Sequence, residues 1–169
     1  MIPFAEARET IIAALSRIDA EMTDTATICY ESGARIGDAM NIRSWTYAPD
    51  TRQVSYVIEK SQRIRVFTLP TSATIAESIL TGARPAPRQL SYAAYTYLFK
   101  LANPRIQPRT GKEDCTYHFG RYYYIRQLSA AGMTVAEIAE NIGNSSLATT
   151  SHYITREITD KRTGQVIAW

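Results

Sequence analysis

The sequence predicts an α+β fold, mainly helical, with one small antiparallel β-sheet. Three observations point there. Apolar residues recur at helical spacing over 4–21 and again over 24–42. From Trp45 to Leu69 the pattern changes to alternating β-branched and aromatic residues. The last third then reads as short helical segments punctuated by Gly132 and Gly143.

Phe4, Ile11, Ile12, Leu15 and Ile18 mark one face of the first helix, and 24–42 reads as two short helices broken around Gly33. Val54, Tyr56 and Ile58 then alternate along a strand. EKSQ supplies a turn near Ser61 and Gln62, and Ile64, Val66 and Phe67 mark the returning strand. Pro70 leads into a helix over 71–81, which the breakers in GARPAPRQ end. Another helix runs from Ser91 to about Leu101, and ANPRIQPRTGKED reads as loop. Helical character resumes from about Thr116 to Ala131, in TVAEIAENI, and over SSLATTSHYI. There is no internal repeat and no low-complexity tract.

A chain of 169 residues, 45% apolar and 21% charged, is read as a single domain, 1–169, able to bury a core without disulfides or a structural metal. No window is apolar enough for a membrane span, and the acid-bearing N-terminal segment does not resemble a secretory signal. A soluble, cytoplasmic protein with no membrane association is expected. Cys29 and Cys115 lack CxxC spacing and a His partner, so both are read as reduced thiols. The net charge is +3 but uneven. Residues 1–32 hold six acids against two arginines, while 84–126 hold eight Lys/Arg against two acids. A basic middle suits a polyanion; a solvated basic face is the plainer alternative.

Five polar residues far apart in sequence suit chemistry on a phosphodiester: Arg35, Lys60, His118 and Arg121 in an HFGR run, and Tyr153. Cleavage by side-chain attack builds negative charge on nonbridging oxygens, which two guanidiniums grip in bidentate forks. A phenol attacking phosphorus retains the bond energy in a phosphotyrosine, so rejoining needs no nucleotide.

The run HFGRYYYIRQLSAAGMTVAEIAENIGNSSLATTSHYI resembles the C-terminal part of the tyrosine recombinase (phage integrase) family. His118 to Arg121 match its His-x-x-Arg box, Ala131 and Gly132 its break, Gly143 and Asn144 its turn, and Tyr153 its nucleophile. ESGARIGDAMNIR resembles the family's first-arginine motif, with Arg35 as the catalytic arginine and Asp38 as the bracing acid. The resemblance spans about 22–155, leaving 156–169 as a C-terminal tail. It implies the tyrosine recombinase catalytic fold and a DNA-integrating activity of a phage or mobile element. It gives His118 a part in moving the tyrosine proton and Lys60, at the hairpin turn, protonation of the leaving 5′ oxygen. Lys112 is the other lysine candidate. No metal or nucleotide cofactor is implied. The implied partner is double-stranded DNA, bound by a homotetramer whose free form can be monomeric.

Two features depart from that family. Asn144 stands where His or Trp is usual; its amide can bond a phosphate oxygen but cannot shuttle a proton. Only about 20 residues precede the core, so the N-terminal DNA-clamping domain is expected to be absent. His152, beside Tyr153, matches no catalytic position. The apolar end Val166, Ile167 and Trp169 is expected to dock, in trans by the resemblance or in cis by self-packing. A helix-turn-helix regulator is the rival reading of TVAEIAENIGNSSLATTSHYI, alongside an inactive integrase relic. A type IB topoisomerase and a telomere resolvase use similar residues.

Overall fold

A computed structural model of the chain describes residues 2–102, 106–108, 119–155, 158–160 and 166–168. A short strand β1 (Ile2–Pro3) precedes helix α1 (Phe4–Ser16), which stops before the expected end at 21. Asp19 is the reason. Its carboxylate accepts the Met22 N–H at 3.0 Å and caps helix α2 (Ala20–Ser32). Gly33 closes α2 in the left-handed region, φ 69°, and a Cβ there would lie 2.3 Å from the Tyr124 ring.

Helix α3 (Ile36–Met40) follows, and one 3₁₀ turn (Ile42–Ser44) leads into strands β2 (Thr46–Ala48), β3 (Gln53–Val57) and β4 (Ile64–Thr68). They form an antiparallel meander with Val54 opposite Phe67 and Tyr56 opposite Arg65. Trp45 stacks on Tyr56 at 4.4 Å, so the inner face of the sheet is aromatic. Ile64, Val66 and Phe67 all lie on β4, the returning strand, but they do not share a face. Ile64 and Val66 are 69% and 49% exposed, whereas Arg65 is 1% exposed. Side chains alternate along a strand, so Phe67 facing inward takes Arg65 with it.

Helix α4 (Thr74–Leu80) packs on α2, and the buried Glu31 carboxylate accepts the Ile75 and Ala76 N–H groups at 3.2 and 2.7 Å. Helix α5 (Tyr92–Ala102) is followed by strand β5 (Ile106–Pro108), inside the stretch expected to be loop. Helices α6 (Phe119–Ala130), α7 (Val135–Asn141) and α8 (Leu147–Thr155) match the three glycine-punctuated segments of the sequence. A capping box between Thr134 and Glu137 starts α7. The packing of α6 on α2 is close at Gly120, where a Cβ would lie 2.7 Å from the Cys29 Cβ.

The tail supplies strands β6 (Ile158–Asp160) and β7 (Val166–Ala168). With β1 and β5 they make a second sheet in the order β1-β7-β6-β5, β7 running parallel to β1. The tail is therefore paired in cis, one of the two dockings expected for it. The reason is backbone pairing: β7 lies between β1 and β6, and its ladder groups find partners within the chain. Trp169 lies outside the described residues.

Part of the basic segment pairs with the acidic N-terminal part of the chain. Arg84 forks onto Asp24 at 2.7 and 2.9 Å, and Arg88 bridges Asp19 and Glu21. Arg121 and Arg126 are buried. Arg84 and Arg88 thus meet acids of the N-terminal helices, while Arg105, Arg109 and Lys112 lie outside the described residues. No helix among the described residues is long and apolar enough to cross a membrane.

Candidate active site

The C-terminal end of α2 and the short α3 after it carry the first half of the site. Arg35, half-buried, occupies the N-cap position of α3 in extended conformation. Asp38, buried on α3, accepts the Glu59 N–H at 2.9 Å, and its backbone carbonyl accepts the Trp45 indole N–H at 3.1 Å. This ties α3 to the root of the β3–β4 hairpin. Burial pushes the Asp38 carboxyl above its ordinary value, opposed by the Glu59 amide and by the charges of Arg35, Arg121 and Arg65.

Helices α6 and α8 carry the second half. Arg121 is 1% exposed and donates from Nη1 to the Gly33 carbonyl at 2.6 Å. Its guanidinium lies 5.3 Å from the centre of the Tyr153 ring. Arg121 Nε and Nη2 are buried without a hydrogen-bond partner among the described residues. Burial draws the guanidinium below its ordinary pKa; Tyr153 opposes that, and the positive charges of Arg35 and Arg65 add to it. A buried donor left unpaired costs about 1–3 kcal/mol, so two on one side chain describe a place shaped for an acceptor. Tyr153, half-buried near the end of α8, rests on Tyr122 with ring centres 4.8 Å apart. Its backbone carbonyl accepts Arg126 Nε–H at 3.2 Å.

Arg35 and Asp38 of α3, Arg121 of α6 and Tyr153 of α8 thus come together from three separate segments. Lys60 does not join them; it stands exposed in the turn between β3 and β4. Asn144 turns toward α8, where its amide donates to Thr150 Oγ1 at 3.2 Å, so part of its hydrogen-bonding capacity serves that helix. His118, Lys112 and Cys115 lie outside the described residues. His152 is exposed, and Tyr122, Tyr123 and Tyr124 are buried packing residues. Burial pushes the Cys29 thiol up to about 12, despite Arg121 nearby, which leaves it an inert packing group.

Sequence reasoning missed Arg65. It donates to the carbonyls of Ser32 and Asn141, both at 2.7 Å, and to Tyr56 Oη at 3.0 Å, with its guanidinium 3.7 Å from the Phe67 ring centre. The available signal was strand parity: 65, 67 and 69 share the inward phase.

No family model matches the chain, and no curated protein matches it by sequence. Solved structures do match. The crystal structure of XerA recombinase superposes with a TM-score of 0.57 at 17% identity, over 87% of this chain and 55% of that one. The chain has the tyrosine recombinase catalytic fold. Two structures of XerH site-specific recombinase bound to difH substrate, post-cleavage and pre-cleavage, superpose with TM-scores of 0.52 and 0.53. Each is 17% identical and is covered over 47% of its length by 86% of this chain. The chain therefore spans about half the length of the recombinases it matches. Here α8 brings the Tyr153 ring to the buried Arg121.

Proposed function

We propose that the chain is the catalytic domain of a site-specific DNA recombinase that breaks and rejoins strands through a 3′-phosphotyrosine. The observation that carries this reading is the buried Arg121 guanidinium, with two N–H edges unpaired among the described residues, beside the Tyr153 ring and the Arg35 charge. A tetrahedral phosphate is the acceptor class that such a fork fits best.

In the proposed reaction, Tyr153 Oη attacks phosphorus and the P–O5′ bond breaks. The products are a 3′-phosphotyrosyl strand and a free 5′-hydroxyl. Arg35 and Arg121 hold the nonbridging oxygens as their charge grows. His118 takes part in removing the phenol proton, and Lys60 delivers a proton to O5′ from a hairpin turn that reaches toward the duplex. Attack by a 5′-hydroxyl on the phosphotyrosine reverses the steps and joins the strand. Asn144 supports a phosphate oxygen in this scheme. Recombination as a homotetramer on two duplexes belongs to the same proposal.

Covalent capture tests it. The chain is incubated with nicked duplexes of randomised sequence, which lose the short 5′ fragment after cleavage, and adducts are isolated under denaturing conditions. Mass spectrometry is expected to find the nucleotide on Tyr153. DNA binding without any adduct would replace the enzyme with a helix-turn-helix regulator or an inactive relic.

A further inference from the structure

Arg65 is a buried cation on β4 that, among the described residues, bonds neutral acceptors. Its partners are specific. The Ser32 carbonyl ends α2, and the Asn141 carbonyl ends α7, so one guanidinium sits at the negative ends of two helices. Charge-assisted bonds to the terminal carbonyls, with the Phe67, Tyr56 and Tyr124 ring centres at 3.7, 5.7 and 5.9 Å and the Asp38 charge acting on it, compensate its desolvation.

Those two helix ends are the ones that organise the candidate site. Ser32 precedes Gly33, whose carbonyl holds Arg121, and Arg35 follows two residues later. Asn141 precedes the Gly143–Asn144 turn, where a Cβ on Gly143 would meet Ile58 at 2.7 Å and Arg65 at 3.3 Å. On the hairpin, Ile58 N–H bonds the Arg63 carbonyl at 2.8 Å, closing the turn that carries Lys60. Arg65 therefore fastens the root of that turn to the two helix ends, while Asp38 fastens its other strand through Glu59.

We propose that Arg65 is a positioning residue: it sets the height and register of the β3–β4 hairpin, and through it the Lys60 ammonium over the leaving oxygen. This rests on the recombinase reading above. It touches no reacting atom itself.

A bridging sulfur separates this role from general support of the fold. When the scissile P–O5′ bond is replaced by P–S5′, the leaving thiolate departs without a proton, so a misplaced proton donor no longer matters. Single-turnover adduct formation is measured for the parent, Arg65→Lys, Arg65→Gln and the milder Tyr56→Phe, on the captured duplex in oxygen and sulfur forms. With oxygen, the Arg65 variants are expected to slow on the order of 10²-fold, Arg65→Lys included because an ammonium cannot reach both carbonyls. Tyr56→Phe, which removes one acceptor, should slow by roughly 3-fold or more. With sulfur, each loss should shrink to a few-fold. Equal losses on both substrates, or no loss on oxygen, would overturn the positioning role while leaving the recombinase reading intact. If Arg65 variants fail to fold, Tyr56→Phe alone decides by the same comparison. A parent that forms no adduct on either substrate removes the recombinase reading, and the role of Arg65 with it.

Discussion

Arg121 donates to the Gly33 carbonyl at 2.6 Å, joining the HFGR segment to the end of α2 across 88 residues of sequence. With this bond made, its Nε and second amino group have no partner among the described residues beside Tyr153. It also explains the glycine. Gly33 turns with φ 69° and presents its carbonyl, while the Tyr124 ring occupies the volume where a side chain would stand.

Replacing Tyr153 by Phe removes the atom proposed to bond phosphorus but keeps the ring on Tyr122. Adduct formation is expected to disappear, with noncovalent DNA affinity within a few-fold of the parent by gel shift. An adduct persisting on another tyrosine would displace Tyr153 from the role.

Arg35→Lys and Arg121→Lys keep a positive charge and lose the planar fork. Each is expected to slow single-turnover cleavage on the order of 10²-fold or more. Near-parental rates in both would remove the phosphate clamp.

Gly33→Ala combines a left-handed backbone with a Cβ 2.3 Å from Tyr124. A loss of roughly 1–3 kcal/mol is expected in urea unfolding. An unchanged midpoint would show that α2 and Tyr124 can move apart freely.

Burial raises the Glu31 carboxyl above its ordinary value of 4.5, against the opposing pull of the Ala76 and Ile75 amides. The folded state holds this proton more tightly than the unfolded chain. Its contribution to stability is therefore complete below 4.5 and is lost as pH climbs through the raised value. Glu31→Gln, which cannot titrate and resembles the protonated side chain, should match the parent most closely at low pH and gain on it as pH rises. A parent that gains on the variant as pH rises, followed by thermal unfolding, would mean the carboxylate is favoured in the fold.

Deleting residues 164–169 removes β7 from between β1 and β6. Because the pairing is in cis, the monomer's Tm is expected to fall by about 4 °C or more. An unchanged Tm with loss of two-site synapsis would return the tail to a role between protomers.

What the sequence determined by itself was local. Helical periodicity, the glycines at 33, 132 and 143, and the alternation of Val54, Tyr56 and Ile58 each act over a few residues, so the helices and the hairpin were legible. The end of α1 was misread because one capping aspartate, Asp19, outweighed a continuing apolar pattern. Arg35, Asp38, Arg121 and Tyr153 could be nominated from motifs, but their meeting required α2, α3, α6 and α8 to pack together. Tertiary structure alone decided the rest. It turned Arg65 inward, because strand parity follows from which face meets the core. It matched the basic segment 84–88 to acids near 19–24, because charges pair by distance in space. It folded the tail onto β1, because strand pairing joins the two ends of the chain and leaves no sign in either end's sequence.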